Sequence, residues 1–174
     1  MTDPTWTAPF APDLSDGPVT GADRPMLEGY LAWQRSNLLN ICAGLTAEQL
    51  ALRPLPETNL SLLGLVRHLA KVERIWFRNR LTQTAGPFYD PALGKDHDFE
   101  HLDAADAPGA VEALVEEWQH SDATAADLDF DATFDTGRDT WSVRMMYVHL
   151  IGEYARHNGH ADLLRQHIDG VTGR

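Results

Sequence analysis

The sequence predicts an all-α fold, a four-helix bundle with a long crossover connection between its second and third helices. Three observations carry this reading. Four segments place apolar residues at helical spacing, no segment makes a convincing strand, and a polar tract without periodicity separates the second segment from the third.

Residues 1–22 are rich in Pro, Thr, Asp and Gly and read as an extended N-terminal arm. Trp6 and Phe10 are the aromatics available to pin it to the body. Residues 23–174 read as one bundle domain. The first helix runs roughly over 24–43, with Leu27, Leu31, Leu38, Ile41 and Leu45 at helical spacing and Gly44 as its stop. "TAEQL" is a turn or a short helix, and Pro54 and Pro56 break the loop that follows.

The second helix starts at Ser61, a suitable N-cap. It presents Leu62, Leu65, Leu69, Val72 and Trp76, and fades near Thr82. The tract "TAGPFYDPALGKDHDFEHLDAADAPG" follows. A loop this long inside a compact domain serves a function or carries the chain from one end to the other. The third helix begins near Asp106 and Pro108, a cap and first-turn pair, with Val111, Leu114, Val115, Trp118 and Leu128 inward. "DFDATFDTGRDT" reads as a turn, and the fourth helix spans about 140–169 before Gly170, a good C′ residue.

Composition narrows the function. The 174 residues suit one domain, and 43% hydrophobic content supports a core. The net charge of −12 argues against nucleic-acid binding and against docking on an anionic membrane surface. No window of 18 apolar residues exists, and the N-terminal stretch lacks the pattern of a secretory signal. Cys42 is the single cysteine, which excludes an internal disulfide framework and fits a cytoplasmic setting. Its apolar neighbours mark it as a small buried hydrophobe. Phosphate-loop, dinucleotide and nucleophile-elbow signatures are absent.

The fourth helix carries the informative pattern. Val143, Tyr147, Leu150, Tyr154, His157, Ala161, Leu164 and Ile168 step alternately by four and three, the seam of a packed helix. A second row runs through Met146, Leu150, Glu153, His157, His160 and Leu164. Polar groups in the middle of apolar rows face inward, with Arg156 and Asn158 pointing elsewhere. A carboxylate and imidazoles buried without partners cost several kcal/mol. A divalent metal compensates by taking them as ligands. Glu153 and His157, one turn apart, suit two ligands of one ion. His68, between Leu65 and Val72 on the second helix, is the candidate third ligand. Three ligands leave a coordination position open, as catalytic sites require. A hydrogen-bonded Glu153–His pair linking two helices, or a solvated ladder, accounts for the same residues without an ion. His149 and His160, a turn to either side, are candidates to orient the ligands or to act as acid and base. His97, His101, His120 and His167 read as surface residues, as do Arg67, Arg144 and Arg156. Trp33, Trp76, Trp118 and Trp141 read as core or as the rim of a cleft.

"LLGLVRHLAKVERIWF", followed about 80 positions later by "HLIGEYARHNGHADLLRQHIDG", resembles the DinB superfamily of four-helix metalloproteins, within it an actinobacterial-type subfamily of unknown function. The resemblance covers roughly residues 23–170. It implies a divalent metal, zinc or nickel most often, on His68, Glu153 and His157. Many members carry histidine at the middle position. Glu153 is similar instead to the His-Glu-His set of mycothiol-dependent maleylpyruvate isomerase, whose C-terminal domain has no counterpart here. The resemblance further implies a low-molecular-weight thiol of the mycothiol or bacillithiol type, held as a metal-bound thiolate for S-transfer to, or isomerisation of, a small electrophile. A non-catalytic metal-binding or stress-response bundle and a metal-dependent hydrolase are the alternative functions. A monomer and a homodimer fit equally.

Overall fold

A computed structural model describes residues 5–13 and 16–172. Residues 1–4 and 14–15 of the predicted arm, and 173–174 of the predicted domain, lie outside the described residues. Four long helices form the core. They are α1 (Asp23–Cys42), α3 (Leu62–Glu73) with its π-helical continuation Arg74–Leu81, α4 (Ala107–Ala125) and α5 (Val143–Asp169). The short α2 (Ala47–Ala51) follows α1, and Thr46 closes it with a reciprocal capping box to Gln49. α1 packs along α5 and α3 along α4, while α3 also meets α5.

Capping residues set the boundaries of the helices that matter for the site. Ser61 accepts the Gly64 N–H at 2.9 Å and starts α3. Ser142 accepts the Met145 N–H and starts α5, which ends at Gly170 with φ of +80°. The α5 seam is inward as predicted: Val143, Tyr147, Leu150, Tyr154, His157, Ala161 and Leu164 are buried and Ile168 is partly so. They join Leu31, Leu38, Leu62, Leu65, Leu69 and Leu114 in one continuous core.

Two local departures from the sequence reading have clear causes. Residues 129–140 do not form a simple turn. Thr133–Asp135 (β1) and Thr140–Ser142 (β2) pair antiparallel with Phe134 opposite Trp141. The strands are too short to show alternation, and the hairpin is held by burial of Phe134 and by Gly137 at φ +85°. Asn158 points inward rather than away. Its Nδ2 donates to the backbone oxygen and Oε1 of Gln34 at 2.9 and 2.8 Å, joining α5 to α1.

The arm lies on the body through backbone contacts. Ala8 N donates to Leu45 O and Gly44 N to Ala8 O, both at 2.8 Å. Trp6 packs against the core, but Phe10 is 77% exposed and pins nothing. The long connection over 82–106 folds back along α3. Lys71 Nζ donates to Lys95 O and Arg67 to His97 O. Gly64 permits this approach, since a Cβ there would stand 2.9 Å from Phe99 Cδ1. Among the described residues no helix is long and apolar enough to cross a membrane.

Candidate metal centre

The α3–α5 contact brings three of the sequence-predicted residues together. One donor atom each from His68, Glu153 and His157 lies within 4.8 Å of the others. His68 Nε2 stands 3.6 Å from Glu153 Oε1, and His157 Nε2 stands 3.4 Å from the same oxygen. Neighbouring ligand atoms around one tetrahedral ion sit about 3.4 Å apart when each bond is about 2.05 Å. The two contacts through Glu153 already have that spacing. His157 is buried, while His68 and Glu153 are partly open to solvent.

The tautomer of His68 follows from its other nitrogen. Nδ1 lies 2.7 Å from Asp98 Oδ2, and Asp98 is buried. A carboxylate there accepts the Nδ1–H and turns the Nε2 lone pair toward Glu153. Nε2 itself is buried with no hydrogen-bond partner. An orphaned imidazole nitrogen beside a carboxylate and a second imidazole is the donor set and the local deficit that a divalent ion would satisfy.

Electrostatics agree with the geometry. Burial pulls the His68 pKa down, but the Asp98 and Glu153 carboxylates beside the ring outweigh it and the net shift is upward. The His157 and His68 imidazoles beside it, against some desolvation, hold Glu153 far below the usual carboxylate range. Asp98 is lowered too, because contacts from His68 and Lys71 exceed its burial penalty. Lys71 Nζ shares Asp98 Oδ2 at 2.7 Å.

His160 and His149 take different places. His160 Nδ1 lies 3.3 Å from His157 Nδ1, behind that ring, and burial with the neighbouring His157 and Arg156 lowers its pKa. His149 sits on the other side, its ring 4.5 Å from Trp76 and 5.3 Å from Trp141. Burial lowers its pKa, offset in part by Glu153 and reinforced by Arg80 and Arg156. Trp76 also stacks on Trp141 at 4.7 Å and carries the Arg80 guanidinium 4.2 Å from its ring centre. The π-helical turn that bears Trp76 and Arg80 is a widened geometry common near functional sites. Trp118 is core, whereas Trp33 is 37% exposed and far from a core role.

Asp98 is the residue that sequence reasoning missed. It stands in "KDHDFEHLD", where four acids and two histidines compete for attention and no helical period singles one out. The one available signal was the length of the loop. Two of the supposed surface residues are corrected as well. Arg67 is 7% exposed, because the connection covers it, and His97 is partly buried beneath Tyr89 at 4.9 Å between ring centres. Arg156 is exposed as expected, and its guanidinium pairs with Glu153 Oε2 at 3.2 Å.

The family model described as mycothiol-S-transferase matches residues 26–170 of this chain. No curated protein and no solved structure matches it. The chain belongs to the mycothiol-S-transferase family, itself part of the DinB-like superfamily that the two motifs resemble.

Proposed function

We propose that this protein is a divalent-metal-dependent transferase that joins a low-molecular-weight thiol of the mycothiol type to a small electrophile. His68, Glu153 and His157 are the residues that would hold the ion. The observation that carries the reading is the convergence of these three donors with His68 Nε2 left unpaired. Membership of a family of mycothiol S-transferases supports the thiol.

An ion bound by these residues supplies Lewis acidity that lowers the pKa of a thiol. The chain's own residues do the rest. Asp98 fixes the His68 tautomer, and Glu153 contributes a carboxylate that stays ionised. His149, one helical turn from Glu153, is kept neutral by burial and nearby arginines and is suited to accept the thiol proton. The sulfur then bonds to the electrophilic carbon as the leaving group departs with its electron pair. Trp76 and Trp141 form an apolar wall beside this point. The thiol must come from outside, since Cys42 is fully buried and its pKa is pushed up to about 12.

The test uses zinc-, nickel- and cobalt-loaded protein with mycothiol, bacillithiol and cysteine as donors and an alkyl halide or epoxide as acceptor. Metal-dependent consumption of mycothiol with thioether formation is expected. A cobalt spectrum that no thiol perturbs, with no turnover, overturns the transferase reading. A closed four-ligand shell would favour a metal that only braces the bundle.

A further inference from the structure

A second cleft lies on the other flank of α3, between α3, α4 and the connection over 82–106. Its volume is about 370 Å³, within the range of small-molecule sites. Phe88 and Tyr89 form one wall, and Ala70, Gly109, Ala110 and Ala113 form the other. The small residues of α4 create the space, as a Cβ on Gly109 would meet nothing within 4 Å.

Arg67 lies at this cleft and forms no ion pair among the described residues. Its hydrogen bonds go to neutral oxygens, His97 O at 2.9 Å, Tyr89 Oη at 3.3 Å and Glu100 O at 3.5 Å, and its guanidinium lies 5.4 Å from the Tyr89 ring centre. Only the first has ordinary hydrogen-bond length. Two carboxylates of the covering loop are engaged elsewhere, Asp98 through Oδ2 with His68 and Lys71, and Glu100 with Arg53. Asp106 sits exposed at the rim and forms no ion pair with Arg67 among the described residues. A buried guanidinium is normally paired with an acid, because its desolvation is otherwise uncompensated. The rest of this protein follows that rule: buried Arg35 grips Glu73 through two bonds of 2.8 Å.

The first turn of α4 also opens here, through Gly109 and Ala110, and no side chain caps that helix end. Its positive end adds to the field of Arg67. We propose that this cleft binds a small carboxylate with a flat apolar body. The carboxylate forks onto the free donors of Arg67, and the body lies between the Phe88–Tyr89 wall and the alanines of α4. Arg67 serves the ligand's acid, and the missing side chain at position 109 makes room for its ring. None of the three proposed ligands lines this cleft, so this site does not depend on the metal reading.

Benzoate, its neutral isostere benzamide and inorganic phosphate are the probes, titrated by calorimetry against metal-free and metal-loaded protein. The Arg67 Nε–Hε signal is followed by NMR. One benzoate should bind per chain in both forms, at least about tenfold tighter than benzamide, as expected for a charge-assisted pair. It should shift the Arg67 signal. Gly109→Leu, which adds a side chain in open space and suits a helix better than glycine, should weaken benzoate at least about tenfold while leaving the melt and metal content unchanged. Arg67→Met should abolish the preference for benzoate over benzamide. Equal binding of benzoate and benzamide, phosphate binding as tightly as benzoate, or benzoate binding unaffected by Gly109→Leu would each overturn the proposal.

Discussion

Replacing Asp98 tests whether the carboxylate behind His68 governs a metal on its far side. Asp98 is 1% exposed and shares Oδ2 between His68 Nδ1 and Lys71 Nζ, both at 2.7 Å. In Asp98→Ala the ring loses its acceptor, turns freely and populates the wrong tautomer. Loss of such an outer partner typically weakens a metal site by about 10- to 100-fold, which corresponds to about 1.4–2.8 kcal/mol. Asp98→Asn keeps an oxygen that can accept the Nδ1–H and should fall nearer the lower figure. The measurement is competition with a chromophoric zinc chelator at pH 8. The pH matters because Asp98 raises the His68 pKa. Its removal eases proton competition and would mask part of the loss in acid. Working at pH 8 weakens proton competition in both proteins, so the comparison reads mainly orientation. Thermal melts of the metal-free proteins separate folding defects from site defects. A folded Asp98→Ala protein that holds zinc as tightly as wild type would refute the argument.

Further outcomes follow from the same geometry. His68→Ala should remove stoichiometric metal while the bundle still melts cooperatively, and full metal occupancy in elemental analysis would show that the ligand is another residue. Metal content should fall as pH is lowered, because protons compete for imidazole nitrogens. His68, with its raised pKa, should begin to compete above the ordinary histidine value of about 6.5, so metal retained unchanged at pH 5 would count against imidazole ligation. Cys42 should not react with a disulfide reagent at pH 8 in the native protein and should react fully once unfolded. Stoichiometric native labelling would disprove its burial. Tyr154→Phe should destabilise the fold by about 1–3 kcal/mol, since Trp118 and Glu73 each lose a buried partner. A melt unchanged in that variant would show that water replaces the hydroxyl.

The helices and the three candidate ligands were legible because both rest on one local rule. A 3.6-residue period tells which side of α5 is buried, and Glu153 and His157 interrupt that side. His68 could be added because it borders a similar stripe on α3. The rule says nothing of segments without a period. Asp98, Arg67's cover and the Phe134–Trp141 pair all depend on where an irregular chain lies against a helix, which is fixed by long-range contacts such as Phe99 over Gly64. Arg67 shows the difficulty well. Its position beside His68 is plain in the sequence, but its burial is decided by residues about 30 positions away. The short hairpin escaped for a related reason, as three-residue strands carry too little alternation to be read.

Adjacent residues on α5 show how the bundle gives the site a fixed base. Glu153 turns toward His68, while Tyr154 turns inward and donates to Glu73 Oε1 at 2.8 Å. Glu73 lies five residues beyond His68 on the same helix. It receives Arg35 from α1, and Tyr154 accepts the Trp118 indole from α4 at 2.8 Å. One buried network therefore contacts all four long helices beside the level at which the ligands meet. Breaking one member of a buried ion pair costs more than the pair contributes, because it strands a charge. The arrangement accordingly penalises any sliding of α3 along α5 that would separate Glu73 from Tyr154. The same displacement would part His68 from Glu153. The network restricts the register of the two helices, and that register is what brings two imidazoles and a carboxylate to one point.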